Sequence, residues 1–447
     1  MLAAMLLIAG CDRTSVVDPP LVQSSLDFQL RALLQQWGAV PIGPVAPQNP
    51  ALVDLGQSLF FDKLLSGNRD VACATCHDPT ARLTDDLSLA IGTGGTGAGA
   101  SRSLGAGRRF VPRNAPTLLN QGLGFFYTLW DGRVNEELGP GRFKAPAGIV
   151  FPAGLTNLIA AQAMLPVLNR TEMRGDRGDT DAFGSPNELA ALGDSSYTLI
   201  WQGVMQRVLS VQQYAAKFAA AYPGMPSSAL GFQHAANAIA AFQIQAFTRT
   251  NSPFDRYLKR DDAAMTEQQK RGALLFFGKA RCSQCHSGAL LGGQQFANIG
   301  VPQLGPGFGA AAPLDAGRGE EIPTAPFYQF AFRVAPLRNV ELTAPYMHNG
   351  AYRTLEAVVG HYTNADSAHR TYDVSQLDPA LRATYHSDAT SMNRVLANLD
   401  FRVRPRIEMT DIERQQIVAF LKSLTDPAAR DLSAIIPSSV PSGLPIR

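Results

Sequence analysis

The sequence predicts a mainly α-helical fold made of two similarly built halves with long loops, and three observations carry that reading. The word Cys-x-x-Cys-His occurs twice, at Cys73–His77 and at Cys282–His286. Each copy follows an apolar stretch at helical spacing: Leu55-Gly-Gln-Ser-Leu-Phe-Phe61 before the first, Gly272-Ala-Leu-Leu-Phe-Phe277 before the second. Each half also closes on a helix with a matching face, Ile239-Ala-Ala-Phe242 within Phe232 to Phe247 and Ile417-Val-Ala-Phe420-Leu421 after Thr410-Asp-Ile-Glu413. Strand signals are sparse, and 40 Gly with 30 Pro require much of the chain to be loop.

The repeated cysteine word defines the chemistry. Two thiols on one helical turn can bond the two vinyl groups of a porphyrin, and the histidine beside them is then held under the iron. A zinc site is the alternative, but each copy would need further ligands at zinc-finger spacing, and none lie nearby. The reading is therefore two covalently bound haem c groups, attached by Cys73 and Cys76 with His77, and by Cys282 and Cys285 with His286. Helix, haem word, long loops and closing helix make the plan of a small cytochrome c fold, used twice.

In chain order, residues 1–11 read as a lipoprotein-type signal: a short apolar run, small residues, then Cys11 as the lipidated residue. An ordinary secretory leader with a chance cysteine is the alternative. Export agrees in either case with haem attachment outside the cytoplasm, so the expected place is the periplasm, with a lipid anchor as the only membrane contact. Residues 12–50 are expected to form a tether with one short helix, Phe28 to Trp37. The N-terminal cytochrome c-like domain is placed at 51–258 and the C-terminal one at 265–427. Between them Ser252 to Tyr257 and Lys259 to Ala264 read as a linker, and 428–447 as a tail, loose or draped on the surface. The Gly/Ser-rich segment Gly92 to Gly107 reads as a flexible loop. With 447 residues the chain can bury two cores. Its 39 basic and 37 acidic side chains leave a formal charge of +2, which gives no field to attract nucleic acid. No run after the leader approaches the length of a transmembrane helix.

Further words are Arg113-Asn-Ala-Pro-Thr117, Trp130-Asp-Gly-Arg133, Gln162-Ala-Met-Leu-Pro166, Glu172-Met173 and Leu337 to Gly350. In this order, and with the two haem words, the sequence from about Ala51 to Pro427 resembles the bacterial dihaem cytochrome c peroxidase superfamily, in its MauG-like branch. The resemblance implies one haem that meets hydrogen peroxide, on the first haem word, and one that exchanges electrons, on the second.

It also implies roles for single residues. Glu172 would be the acid–base group that takes a proton from the near oxygen of peroxide and returns it to the leaving one. Gln162 would orient peroxide or water, and Pro166 would keep a side-chain ligand away. A solvated loop acid is the alternative for Glu172. Trp130 would carry charge between the haems, unless it is only a buried core aromatic. Asn114, Thr343 and Pro345 match a calcium site of hard oxygen donors. Members that need reductive activation carry a histidine where this chain has Thr93, and no histidine lies between His77 and His234; the peroxide haem is expected to be open without prior reduction. Tyr362 in Leu355 to Tyr362 stands where simpler members place a methionine; phenolate stabilises higher oxidation states of iron, whereas methionine raises the potential. Met347, Met392 and His361 are the other candidates for that ligand. His234, His348 and His369 are expected in surface or core roles. The segment 134–161 is longer than its counterpart in the family and could shape a substrate entrance or a partner surface.

The function read from this is a peroxidase that takes its electrons from a small c-type cytochrome or copper protein, or from side chains of a partner protein. A dihaem electron carrier without peroxide chemistry is the alternative, distinguished by whether the first haem has an open position.

Overall fold

The computed structural model describes residues 25–137 and 139–446; Cys11 and the leader lie outside the described residues. Regular structure is mainly helical, and the strands among the described residues are two antiparallel pairs of two residues each, Tyr127–Thr128 with Val134–Asn135 and Phe296–Ala297 with Phe332–Arg333. No helix among them is long and apolar enough to cross a membrane.

The echo between the halves is a repeated helix crossing. The helix Pro50–Phe61 starts on the Asn49 side chain, which accepts from the Ala51 N–H, with proline at the first helical position. It crosses Phe232–Phe247 at Gly56, where an added Cβ would overlap the Ala238 carbonyl oxygen. In the other half Glu267–Phe277, capped by Thr266 and Gln269, crosses Asp411–Lys422, capped by Thr410 and Glu413. There the close point is Gly272, whose added Cβ would overlap the Gln416 carbonyl oxygen. Both glycines open the word Gly-x-x-Leu-Phe-Phe or its near copy because only hydrogen fits between backbones that close. The phenylalanines then fill the space beside each crossing. Phe60 lies 5.5 Å from Phe242 and 5.4 Å from Phe247; Phe276 lies 5.1 Å from Phe420.

Two large apolar clusters follow, one around Leu59, Phe60 and Phe242, the other around Phe276, Phe277 and Phe420. The chain ends cross between them. Helix Leu26–Gln36 buries Leu30 and Leu34 in the second cluster, and Tyr257 donates to Asp27 at its start. Residues 429–446 lie against the first cluster through Leu432, Val440 and Leu444. Ser442 Oγ donates to the buried Asp62 at 2.7 Å, beside the Tyr214 hydroxyl, also at 2.7 Å.

Two loop expectations need correction. The stretch read as a linker holds the helix Pro253–Leu258, closed by a Ser252/Asp255 capping box and burying Phe254 and Tyr257 completely. The helix is too short to show a period, and its polar flank masked the burial of Phe254 and Tyr257. The Gly92 to Gly107 loop is gathered onto one side chain: the Arg102 guanidinium donates to the carbonyls of Ile91, Gly92 and Gly97. Five donors on one arginine outweigh the glycine content of the loop.

Candidate haem cavities

Each haem word lies in the wall of its own cavity, and each cavity encloses about 1360 Å³ of empty space, solvent mouth included. The first is bounded by Cys73, Cys76, His77, Trp130, Gln162, Pro166 and Glu172 together. Four segments of sequence therefore converge on one space. The second is bounded by Cys282, Cys285, His286, Tyr362, Met347, His348 and again Trp130.

The histidines are prepared in the same way in both halves. His77 Nδ1 is 3.2 Å from the Leu83 carbonyl, and His286 Nδ1 is 3.0 Å from the Leu291 carbonyl. A carbonyl can only accept, so Nδ1 carries the proton and Nε2 keeps its lone pair for a metal. Burial pushes both imidazoles down to about 4, so they are neutral near pH 7. Leu83 and Leu291 are both fully buried and both left-handed, with φ of 65° and 53°. That conformation costs a leucine roughly 1–2 kcal/mol, and it turns the carbonyl onto the ring. Sequence reading missed this pair; the only signal was a leucine five or six residues after each histidine.

The residues fit a covalently held porphyrin better than zinc. Burial pushes the thiols of Cys73 and Cys282 up to about 12. Among the described residues no group of three His, Cys, Asp or Glu side chains is arranged to hold a metal ion. In the second cavity the buried Arg333 donates through Nε to the Leu129 carbonyl and leaves Nη1 without a partner. An unpaired guanidinium in an apolar wall calls for an anion, and a porphyrin carries carboxylates. Burial lowers Arg333 to about 10.

Glu172 sits on a short π-type turn, Arg170–Arg174, opened by Asn169. The Asn169 amide donates to Glu172 Oε1 at 2.9 Å while its Oδ1 accepts the N–H groups of Thr171 and Glu172. Burial raises the Glu172 carboxyl above its ordinary value, opposed by the Arg133 and Arg113 charges. Thr93 packs against this turn: its N–H donates to the Glu172 carbonyl and its hydroxyl to Asp70 at 2.9 Å. The hydroxyl is thus engaged on Asp70.

Trp130 borders both cavities and donates from its indole N–H to the Asn114 carbonyl at 2.9 Å. An ion network fixes its neighbours. Arg113 grips Asp315 with two bonds of 2.7 and 2.9 Å and reaches Asp131 at 2.5 Å, where Arg133 also binds at 2.9 Å. These charges hold the Asp131 carboxyl well below its usual range even though burial opposes it. The network explains why the Arg113 and Trp130 words occur together.

Of the four candidates for the second axial ligand, Tyr362 and Met347 border the cavity, and Met392 does not. His361 has both ring nitrogens engaged, with Tyr352 at 2.8 Å and the Ile299 carbonyl at 2.7 Å. Asn114 is tied by its N–H to the His348 carbonyl, on the loop that carries Thr343 and Pro345, and by its amide to Leu87. His348 stacks on Phe332 at 3.5 Å and is buried, as is His369. His234 bonds the Gly231 N–H at the start of its own helix. From the insert 134–161, Phe143, Phe151 and Leu155 pack around Val134 and Leu158, close to the first cavity.

A family model described as di-haem cytochrome c peroxidase matches residues 50–263. The cytochrome c551 peroxidase of Pseudomonas aeruginosa is 32% identical over 314 residues, 70% of this chain and 71% of that one. The methylamine utilization protein MauG of Methylorubrum extorquens is 28% identical over 402 residues, 90% of this chain and 86% of that one. Among solved structures, a MauG-like protein associated with microbial copper homeostasis matches with a TM-score of 0.60 and 26% identity, covering 90% of this chain and 97% of that one. The diheme peroxidase BthA of Burkholderia thailandensis shares the fold, with a TM-score of 0.56 at 22% identity and coverage of 91% and 95%. The chain belongs to the di-haem cytochrome c peroxidase family, and with it to the oxidoreductases that act on peroxide and carry two haem c groups.

Proposed function

We propose a peroxidase of the MauG-like kind, in which hydrogen peroxide is reduced in the first cavity and electrons enter by way of the second. The observation that carries this is Glu172, a half-buried carboxyl in the wall of the same cavity as Cys73, Cys76 and His77. Cys73 and Cys76 would hold one haem with His77 as its ligand, and Cys282, Cys285 and His286 the other. The bound haem of the first cavity supplies the iron at which the peroxide O–O bond is cleaved.

The chain supplies the rest. Glu172 takes the proton from the near oxygen of peroxide and delivers it to the far one, which then leaves as water. Asn169 holds Oε1 in place for both transfers. Gln162 orients the substrate, and Pro166 presents only carbon and so offers no ligand of its own. Thr93, with its hydroxyl bonded to Asp70, would offer no ligand to the haem of this cavity. Trp130 would pass charge between the cavities, and Tyr362 would help hold the haem on the electron-transfer side. Asn114, Thr343 and Pro345 would bind calcium where the two halves meet.

The two cytochrome c-like units extend over 51–258 and 265–427, and the protein works in the periplasm, tethered by lipid on Cys11. Its reductant is a small c-type cytochrome, a copper protein, or side chains of a partner protein. Absorption spectra of the oxidised protein before and after one equivalent of peroxide test the reading. An immediate change without added reductant supports it, and an unchanged spectrum contradicts it.

A further inference from the structure

We infer that Tyr352 is a redox-active tyrosine, oxidised when the protein meets peroxide, with His361 as the base that receives its proton. The inference rests on the peroxide reading above. Tyr352 is buried and its hydroxyl lies 2.8 Å from His361 Nδ1. His361 Nε2 lies 2.7 Å from the Ile299 carbonyl, which can only accept. Nε2 therefore carries the ring proton, Nδ1 is bare, and the phenol donates to it. A buried phenol gives up an electron readily only if its proton has somewhere to go, and here the acceptor is already hydrogen-bonded.

The surroundings single this tyrosine out. His361 and Tyr362 are consecutive on the helix Leu355–Thr363, with ring centroids 5.7 Å apart, and Tyr362 borders the second cavity. From Tyr352 the rings continue outward to Tyr372 at 5.5 Å and from there to the half-buried Tyr385 at 5.3 Å. The Tyr372 hydroxyl donates to the Ala351 carbonyl, and that of Tyr385 to the His369 carbonyl at 3.4 Å. Neither carbonyl can take a proton. Oxidation therefore settles on Tyr352, the member of the series with a nitrogen base.

The step balances as follows. Reduction of one peroxide to two waters consumes two electrons and two protons. The reductant of the proposed reaction supplies one of the electrons, and solvent supplies both protons; Tyr352 supplies the other electron and becomes a neutral phenoxyl radical. Its proton moves to Nδ1, making an imidazolium held by the Ile299 carbonyl. One electron from the reductant, with return of that proton, restores the pair.

The test uses the holoprotein with both haems, its tyrosines ring-deuterated, frozen after one equivalent of peroxide and read by electron paramagnetic resonance. A tyrosyl signal that narrows on deuteration is expected. In heavy water it should couple to one exchangeable deuteron hydrogen-bonded from an imidazole. Tyr352→Phe should lose the signal while the haem absorption still responds to peroxide, and Tyr372→Phe should keep it. If the haems respond but no tyrosyl signal forms, or it is unchanged in Tyr352→Phe, the inference is overturned. Should Tyr352→Phe fail to fold, the coupling in the unmutated protein decides, and its absence overturns the inference. Haem absorption that ignores peroxide would overturn the peroxide reading, and this one with it.

Discussion

Glu172 is held by Asn169 and by the two arginines whose charge reaches it, and its burial raises its carboxyl above the ordinary range. A base must be ionised to accept a proton, so the reaction with peroxide should accelerate as pH rises through this elevated value. It should slow on acidification at a pH above that of an exposed glutamate. Glu172→Gln is expected to keep both haem spectra, slow the peroxide reaction by roughly 10²–10⁴-fold and flatten the acid limb; stopped-flow mixing across pH checks all three. Tyr362 offers the second test at this scale. Tyr362→Met should raise the reduction potential of the second haem in a spectroscopic titration, because a neutral sulfur replaces a phenolate. If Met347 is the ligand instead, the unmutated protein will already be reduced readily by ascorbate, and the substitution will leave the potential in place. The residues around each haem word were legible because their chemistry needs fixed spacings. Arg333, Leu83 and Leu291 were not, since a lone arginine or leucine carries no spacing, and its role appears only once the cavity wall is closed.

The helix crossings carry the fold. Gly56→Ala should lower stability by about 1–3 kcal/mol, since the added methyl forces two backbones apart. Gly272→Ala should do the same in the other half, where Gln416 is the facing residue. Gly360→Ala is the control: its Cβ meets nothing, and in a helix the change should be neutral or stabilising by about 0.5–1 kcal/mol. Thermal unfolding of the three variants checks the contrast. These elements were the most readable part of the sequence, because a helix that crosses another closely needs a small residue and large apolar ones at fixed intervals. The helix Pro253–Leu258 was misread as linker for the complementary reason. Six residues are too few to display a period, and the neighbouring Lys259 to Ala264 is polar, while Phe254 and Tyr257 owe their burial to distant partners, Phe420 and the N-terminal helix.

On the scale of the molecule, the ends are exchanged between the two cores, which ties each to the other by contacts remote in sequence. Ser442→Ala removes the hydroxyl that donates to the buried Asp62 carboxylate and accepts from the Leu444 N–H, and should cost about 1.5–3 kcal/mol, read as a lower unfolding midpoint and faster proteolysis. Nothing in the composition of 428–447 announced this, because its apolar residues pack singly against a surface made elsewhere. The central claim concerns the first cavity. It takes in Glu172, Gln162 and Pro166, and the Thr93 hydroxyl is bound to Asp70, so the resting protein should be ready for peroxide as isolated. Electron paramagnetic resonance of the fully oxidised, untreated protein tests this most directly. The expected spectrum has one high-spin and one low-spin ferric haem, with peroxide consumed on first mixing. Two low-spin signals, with activity only after partial reduction, would contradict the account.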